Sequence, residues 1–482
     1  MTIQIAGSGL FGLALQEVDS PNTGGMWSMG YDYTGFGNTL TGDPYFHYYP
    51  YTNLGYGPNQ QVSQLPLEAG RSIMTRGAYK SSIYGGGPLS MIPRLDGDFG
   101  YVLMAALGRS HMIQDRNLDG AVAAGCQVHE FMYDDIEESL PYYTARRKLP
   151  HVDTTKALGE VTYDNHIGNL EISIPTNSPI MANVEQMGRR TQWESNPTWA
   201  TPTFDDDNSF LVGVHNASRV SLEVDGVLQE LKATGATISI NNNLLPPNQA
   251  QIIGDPVPLD YPVLSRAASI RVQALVENWD IYNRIFTNAA FGASGTYSDT
   301  VYQGDVDIRA YSPMLITGQS TEFFGFQFLT TGNNISWSLQ GAGVQLAPGS
   351  PIMITLVGTV QRATSGAHFK IRVQNDVTTP YTTPRSVGIA VDGGSTATVS
   401  YDRVRDAGHP MHEYMYYTGY LTGTGHYTGV TVYAVPVAPA TVVAAWTGTS
   451  ISTLLGIVTG ATGIAFIPTQ NASSLFLRPV TS

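Results

Sequence analysis

Two periods of apolar residues alternate along this chain. Around Phe99 they fall three and four apart, at Phe99, Val102, Leu103, Ala106 and Leu107, which predicts a helix with one buried face. Asp96 or Asp98 is placed to cap its first amides, and Gly108 to take the left-handed position that closes it. Just upstream, Ser72 to Ile83 (SIMTRGAYKSSI) favours a strand, and the Gly85-Gly86-Gly87-Pro88 cluster predicts that the strand ends near Tyr84. From Ala157 to Asn243 the period is two. Asn169 to Ile174, Ser221 to Leu228 and Thr237 to Asn241 read as half-buried strands, with Glu171, Glu223 and Asp225 on their polar face. Gly304 to Ala310, Phe323 to Phe328, Pro351 to Arg362 and His368 to Gln374 are further strands.

The strand-helix unit recurs about 180 residues later, measured from Gly108 to Gly292. Ser265 to Glu277 is a strand candidate, followed by Trp279, Tyr282, Ile285, Phe286 and Ala289 on a helical stripe. The endings correspond, Ala105-Ala106-Leu107-Gly108 against Ala289-Ala290-Phe291-Gly292, a spacing suited to two duplicated domains. Any two strand-helix units that end in glycine also look alike.

Residues 22–64 read as a long loop or arm with an aromatic centre, in which Tyr45, Phe46, Tyr48, Tyr49 and Tyr51 are candidates for contact with a neighbouring subunit. The bland reading is a segment covering its own barrel. Asn375 to Arg385 (NDVTTPYTTPR) has the composition of a linker. Beyond it the charge pattern changes: no acidic residue follows Glu413, and Arg478 is the only Lys or Arg in that stretch. Residues 1–378 and 379–482 are therefore expected to be separate regions, the second a small all-β domain.

Composition narrows the function. Charged residues make up 13% and hydrophobic residues 42%, with 51 Gly and 27 Tyr, a balance suited to packed β structure with many turns. A net charge of −14 excludes a protein that grips nucleic acid by clustered Lys and Arg. The single cysteine, Cys126, excludes an internal disulfide. Met1 to Gly12 lacks a basic stretch before its short apolar run, so no signal peptide is expected. Thr441 to Gly460 is too interrupted by Thr, Ser and Gly to cross a bilayer.

Catalytic signals are weak. Gly7, Gly9 and Gly12 match a dinucleotide-binding glycine pattern, but the apolar run after them stops at Val18, before a pyrophosphate-binding helix is complete. Asp115 to Gly120 opens like a calcium loop yet reaches Cys126 where a bidentate Glu is required, which favours a polar turn. Asp205 to Asp207 lacks assignable further ligands, the acidic run from Asp134 to Glu138 reads as solvated, and His409, His412 and Glu413 are in the wrong order for a zinc helix. No catalytic residue, cofactor or metal is expected.

Four stretches carry a resemblance: GSGLFGLALQEVDSPNT, LPLEAGRSIMTRGAYKSSIYGGGPLSMIPRLDGDFGYVLMAALG, SRAASIRVQALVENWDIYNRIFTNAAFG and PIMITLVGTVQRATSGAHFKIRVQN. With ATISINNNLL between them, they resemble the tail tube proteins of long-tailed bacteriophages over residues 1–378. The resemblance implies a mainly β fold, an antiparallel sandwich or barrel with flanking helices. It implies a virion subunit, assembled in the host cytoplasm, that stacks as rings into a tube for DNA ejection: hexamers, or trimers with pseudo-sixfold symmetry if the unit is duplicated. Its partners would be other copies of itself, a tape-measure protein, and tail terminator and tail-tip proteins, while DNA passes without specific binding. Alternation makes Glu223, Asp225, Arg271 and Gln273 the candidates for the lumen or ring contacts. The C-terminal region resembles immunoglobulin-like or jelly-roll tail decorations. The alternative function is a secreted or surface β-protein that binds carbohydrate.

Overall fold

A computed structural model describes residues 9–15, 46–65, 77–199 and 209–381, with breaks at 96, 109, 134–139, 152, 225–226, 252, 255, 259–260, 278, 290–294, 341–343, 345–347, 364–366 and 379–380. Beyond these it describes the backbone of eight strands.

The first half contains β1 (Leu10–Leu15), β2 (His47–Tyr48), β3 (Asn53–Leu54), β4 (Gly57–Gln64), β5 (Ala78–Met91), helix α1 (Phe99–Leu107), β6 (Ser110–Arg116), β7 (Val122–Tyr133), β8 (Tyr143–Leu149), β9 (Leu158–Pro175), β10 (Met181–Gly188) and β11 (Arg190–Ser195). The second half contains β12 (Arg219–Val224), β13 (Val227–Leu231), β14 (Ala233–Asn241), β15 (Ala267–Leu275), helix α2 (Asp280–Thr287), β16 (Gln303–Gly304), β17 (Val306–Leu315), β18 (Phe323–Leu329), β19 (Ile335–Leu339), β20 (Met353–Val360) and β21 (Phe369–Asn375). The fold is mainly β and antiparallel, without a closed barrel among the described residues.

One large sheet runs β16-β19-β20-β15-β14-β9-β10-β5-β3, with β4 also beside β5 and with β1, β2, β8 and β11 attached through the long β9. A second runs β13-β12-β17-β18-β21-β7-β6. The large sheet contains the same order twice. β9-β10-β5-β4 and β19-β20-β15-β14 each place a hairpin beside the strand that leads into a helix, then the strand before it. β14 joins the two sets by pairing with β9, Ile238 opposite Ile172.

Alternation builds one core between the sheets. Leu170, Ile172, Ile238, Ile270 and Val272 of the large sheet are buried in a common cluster with Phe131, Ile308, Phe326, Phe328 and Ile371 of the second. Each such side chain contributes on the order of 1.5–3 kcal/mol by leaving water. The segment Ser221 to Leu228, which reads as one strand in sequence, holds parts of two antiparallel strands, β12 and β13, with Val224 opposite Val227. Asp225-Gly226 are the two residues between those partners, and Asp-Gly is a strong two-residue hairpin signal.

Helix α1 forms where its period predicts and ends at Gly108, whose φ of 82° is left-handed and whose N–H donates to Met104 O at 2.8 Å. Burial goes further than one face: every residue but Tyr101 is buried. Its last carbonyls are therefore removed from water and need partners. Asn242 Nδ2 donates to Ala106 O at 3.0 Å, and Arg266 Nη2 donates to Ala106 O and Leu107 O at 3.3 and 3.2 Å. The Arg266 guanidinium lies 4.1 Å from the centre of the Tyr133 ring, and burial lowers its pKa to about 10, which leaves it charged at neutral pH.

Asp98 occupies the N-cap position without a side-chain cap bond. Its Oδ1 instead lies 2.7 Å from His47 Nδ1, and His47 stacks on Tyr101 with ring centres 3.7 Å apart.

The glycine cluster does not end β5, which continues to Met91. A Cβ at Gly86 would sit 2.7 Å from Gln186 O, and one at Gly87 (φ 135°) 2.5 Å from Gly55 O. The glycines let neighbouring backbone approach on both sides, a strand use of glycine that competes with the turn use. Residues 47–64, in the second half of the expected loop, form β2, β3 and β4, while residues 22–45 lie outside the described residues. Gly12 lies within β1 against the Tyr48 ring, so the glycine pattern leads into a strand and not into a nucleotide-binding helix.

In the expected linker, Tyr381 is 2% exposed. Its hydroxyl donates to Gly97 O at 2.8 Å and accepts from Asn375 Nδ2 at 3.0 Å, and its ring meets Tyr101 and His129 edge-on. A Cβ on Gly100 would run into that ring. Gly100→Ala is expected to destabilise the protein by about 1–3 kcal/mol through overpacking. In a Tyr381→Ala background the same change is expected to cost less. Thermal unfolding of the two single variants and the double variant checks this, and additive effects would exclude the contact.

Candidate functional site

Strand registers lay out the outer face of the large sheet in rows. One row crosses eight strands as Asn53, Ser90, Asn183, Glu171, Ser239, Ser269, Thr359 and Ser336. The next carries Ser173, Thr237, Arg271, Val357 and Ser338, and Gln273 lies beyond it between Gly235 and Thr355. Arg271 and Gln273 thus share this face, and both are exposed. Glu171 and Arg271 are the only charges in these rows, and Glu185 stands exposed on the same face one row further along β10. The surface is short, hydroxyl-rich and nearly neutral, because the apolar half of each alternation points into the core.

The second sheet presents the opposite character. Glu130, Arg372, Gln327, Arg309 and Arg219 line up across its strands. Glu130 accepts from Arg372 Nε at 2.7 Å and Lys370 Nζ at 3.3 Å, while Asp307 accepts from Arg309 Nε at 2.9 Å and Gln327 Nε2 at 2.8 Å. Burial alone would lower the Arg309 pKa, but Asp119 and Asp307 beside it raise it. These charges are held by one another and by Asp119 in the turn before β7.

Glu223 belongs to this sheet, on β12, and is not beside Arg271 and Gln273. Partial burial raises its pKa, and Asp305, to which it hydrogen-bonds, adds to the effect. Asp225, Tyr45, Asp205 to Asp207, Asp134 to Glu138, His409 and His412 lie outside the described residues. Asp115 to Gly120 is a polar turn in which Asn117 Oδ1 accepts the Asp119 and Ala121 amides at 3.1 and 2.9 Å. Among the described residues, no three His, Cys, Asp or Glu side chains converge on a metal-sized site.

Residues 36–323, more than half of the chain, match the family described as phage tail tube protein. This chain belongs to the phage tail tube protein family. Among curated proteins none matches it. As a tail tube protein it is a structural component of the virion tail and associates with itself and with other tail proteins. The matched span takes in both helices, and residues 379–482 fall outside it.

In this tail tube protein the aromatic residues around position 48 turn inward. Phe46 and Tyr49 are 7% and 4% exposed, Tyr51 packs against the core, and Tyr49 Oη donates to Asp98 O at 2.9 Å. Phe46, Tyr48 and Trp199 surround the Arg146 guanidinium at 3.8, 4.9 and 4.8 Å from their ring centres. Burial lowers the Arg146 pKa to about 9, against a smaller upward pull from Glu194. Among the described residues, the aromatic rings open to solvent lie elsewhere, at Tyr79, Trp193, Trp279, Phe286 and Tyr297. The polar rows were readable from the Ser and Thr that alternate with Ile and Val, a signal that a search for charged lumen residues passes over.

Because the raised pKa of Glu223 marks a carboxylate that is harder to ionise in the folded chain, its ionisation opposes folding above that pKa and has no effect below the unfolded-state value, where both states are protonated. Glu223→Gln is therefore expected to raise the melting temperature at pH 7, with the gain vanishing near pH 3. Melting curves across that range check the sign.

Proposed function

We propose that this tail tube protein assembles as rings of three chains, each chain supplying two equivalent halves of the large sheet, and that stacked rings enclose the channel for DNA ejection. The observation that carries the conduit reading is the nearly neutral outer face of the large sheet, which we assign to the channel wall. A channel that conducts a polyanion must not offer it cations, since each Lys or Arg that neutralises a phosphate gains free energy by releasing counterions. Arg271 and Gln273 belong to that wall, and Glu223 to the opposite layer. The repeated strand order supports a duplicated tube unit and hence pseudo-sixfold symmetry from three chains. During assembly the channel holds a tape-measure protein, and the tube ends meet terminator and tip proteins. The region after Tyr381 forms a separate all-β decoration outside the tube.

Electron microscopy of the purified protein, fresh and after concentration, is expected to show stacked rings of three subunits around an open axis. Monomers at every concentration would overturn the reading, and six subunits per ring would overturn the duplication.

The wall assignment has its own test. Ser239→Lys with Thr359→Lys is expected to leave tubes intact and to make them retain duplex DNA at low salt, with retention lost as salt rises. The wild-type tube is expected to retain none. Variant tubes that release DNA as freely as wild type would place the wall elsewhere.

A further inference from the structure

The two helices stand in equivalent places in the repeated strand order but are covered differently. Helix α1 is enclosed, and His47, Tyr49 and Tyr381 close its outer side. Helix α2 has no buried residue. Ile281 and Ile285 pack toward the core, whereas Trp279, Tyr282 and Phe286 form a ridge with successive ring centres 5.6 and 5.0 Å apart. Trp279 is 47% and Phe286 38% exposed, and Tyr297 and Val301 beside them are open to solvent as well. The single apolar stripe read in the sequence is thus split, half inward and half bare. The ridge stands at the β19 end of the large sheet, where the two-residue β16 covers only part of the edge.

A second exposed feature stands at the opposite end of the same sheet. The outer parts of β4 and β5 pair as a ribbon, Val62 opposite Lys80 and Ser63 opposite Tyr79. It is exposed on both faces, at Val62, Tyr79, Lys80, Gln61 and Gln64. A two-stranded ribbon that buries neither face is marginal by itself. It needs a surface to lie on.

Resting on the tube reading, we infer that the β4–β5 ribbon of one copy docks on the α2 ridge and the β19 end of the next copy. Three observations favour a second copy as the occupant. The bare features lie at the two ends of one sheet, which suits a head-to-tail contact that closes into a ring. Inside the chain, β14 already joins one strand set to the other through β9, and the ribbon belongs to the strand set of β4, which stands where β14 stands. Charge agrees as well: Lys80 is the only charged residue in the described ribbon, and Glu277 and Asp299 are exposed beside α2.

The test uses the full chain and two double variants, Trp279→Ala with Phe286→Ala on the ridge and Val62→Asp with Tyr79→Ser on the ribbon. All four side chains are exposed, Phe286 the least, so both variants are expected to stay folded, which their thermal melts check. Each is expected to raise the concentration for half-assembly about 30-fold or more, as loss of central aromatic contacts does. Trp279→Tyr with Phe286→Leu is expected to restore assembly. Mixing the ridge and ribbon variants leaves one working junction per pair, so mass photometry is expected to show heterodimers and no larger rings.

Ring formation by the ridge variant at wild-type concentrations, or a mixture that stays monomeric, would overturn the docking while wild-type rings kept the tube reading. A wild-type chain that never assembles would overturn both.

Discussion

Enclosing helix α1 is the constraint around which this tail tube protein is arranged. A helix whose residues are almost all buried removes its terminal peptide groups from water, and each group left without a partner costs about 1–3 kcal/mol. The groups that prevent this come from distant parts of the chain. Asn242 and Arg266 reach the C-terminal carbonyls from the two sides of the β14–β15 connection, Gly108 turns the chain away, and Tyr49 and Tyr381 bond backbone at the other end. Both sheets touch the helix, through β9 and β7, so the sandwich and the helix are stabilised together.

Much of this was legible because it follows local periodicity. The spacing of Phe99, Val102, Leu103, Ala106 and Leu107 marks α1, and alternation marks β9, β14, β15, β18 and β21. What the sequence hides depends on contacts between distant segments. Glycines at 85–87 read as a strand end until Gln186 and Gly55 are seen pressed against them. The tyrosines near position 48 read equally as an outward arm or as a cover over their own barrel until Arg146 and Asp98 claim them. The α2 stripe reads like the α1 stripe, although only one of the two helices is covered by its own chain. Of the candidate site, the alternation found Arg271 and Gln273 on one face, while it could not tell that Glu223 belongs to the other sheet.

The two sheets solve the problem of an outer polar face differently. The second sheet concentrates its charges and binds them to one another, with Glu130 shared between Lys370 and Arg372 and Asp307 between Arg309 and Gln327. The central rows of the large sheet, from β3 to β19, carry few charges and use Ser, Thr and Asn, whose hydroxyls and amides are satisfied by water and ask for no particular partner. Both sheets contribute apolar side chains to the same core. The contrast between their outer faces separates a layer built to hold its own groups from a layer built to present few that grip.

Tyr381 ties the end of the tube fold to its centre, since the side chain that closes over α1 follows the last strand of the second sheet. Whatever is appended after it begins from a fixed post and not from a free tether. A pull on the C-terminal region would therefore be felt first at the Gly97 and Asn375 bonds, at the core of the sandwich, and a shortened chain would keep its helix covered only if the cut fell beyond that residue.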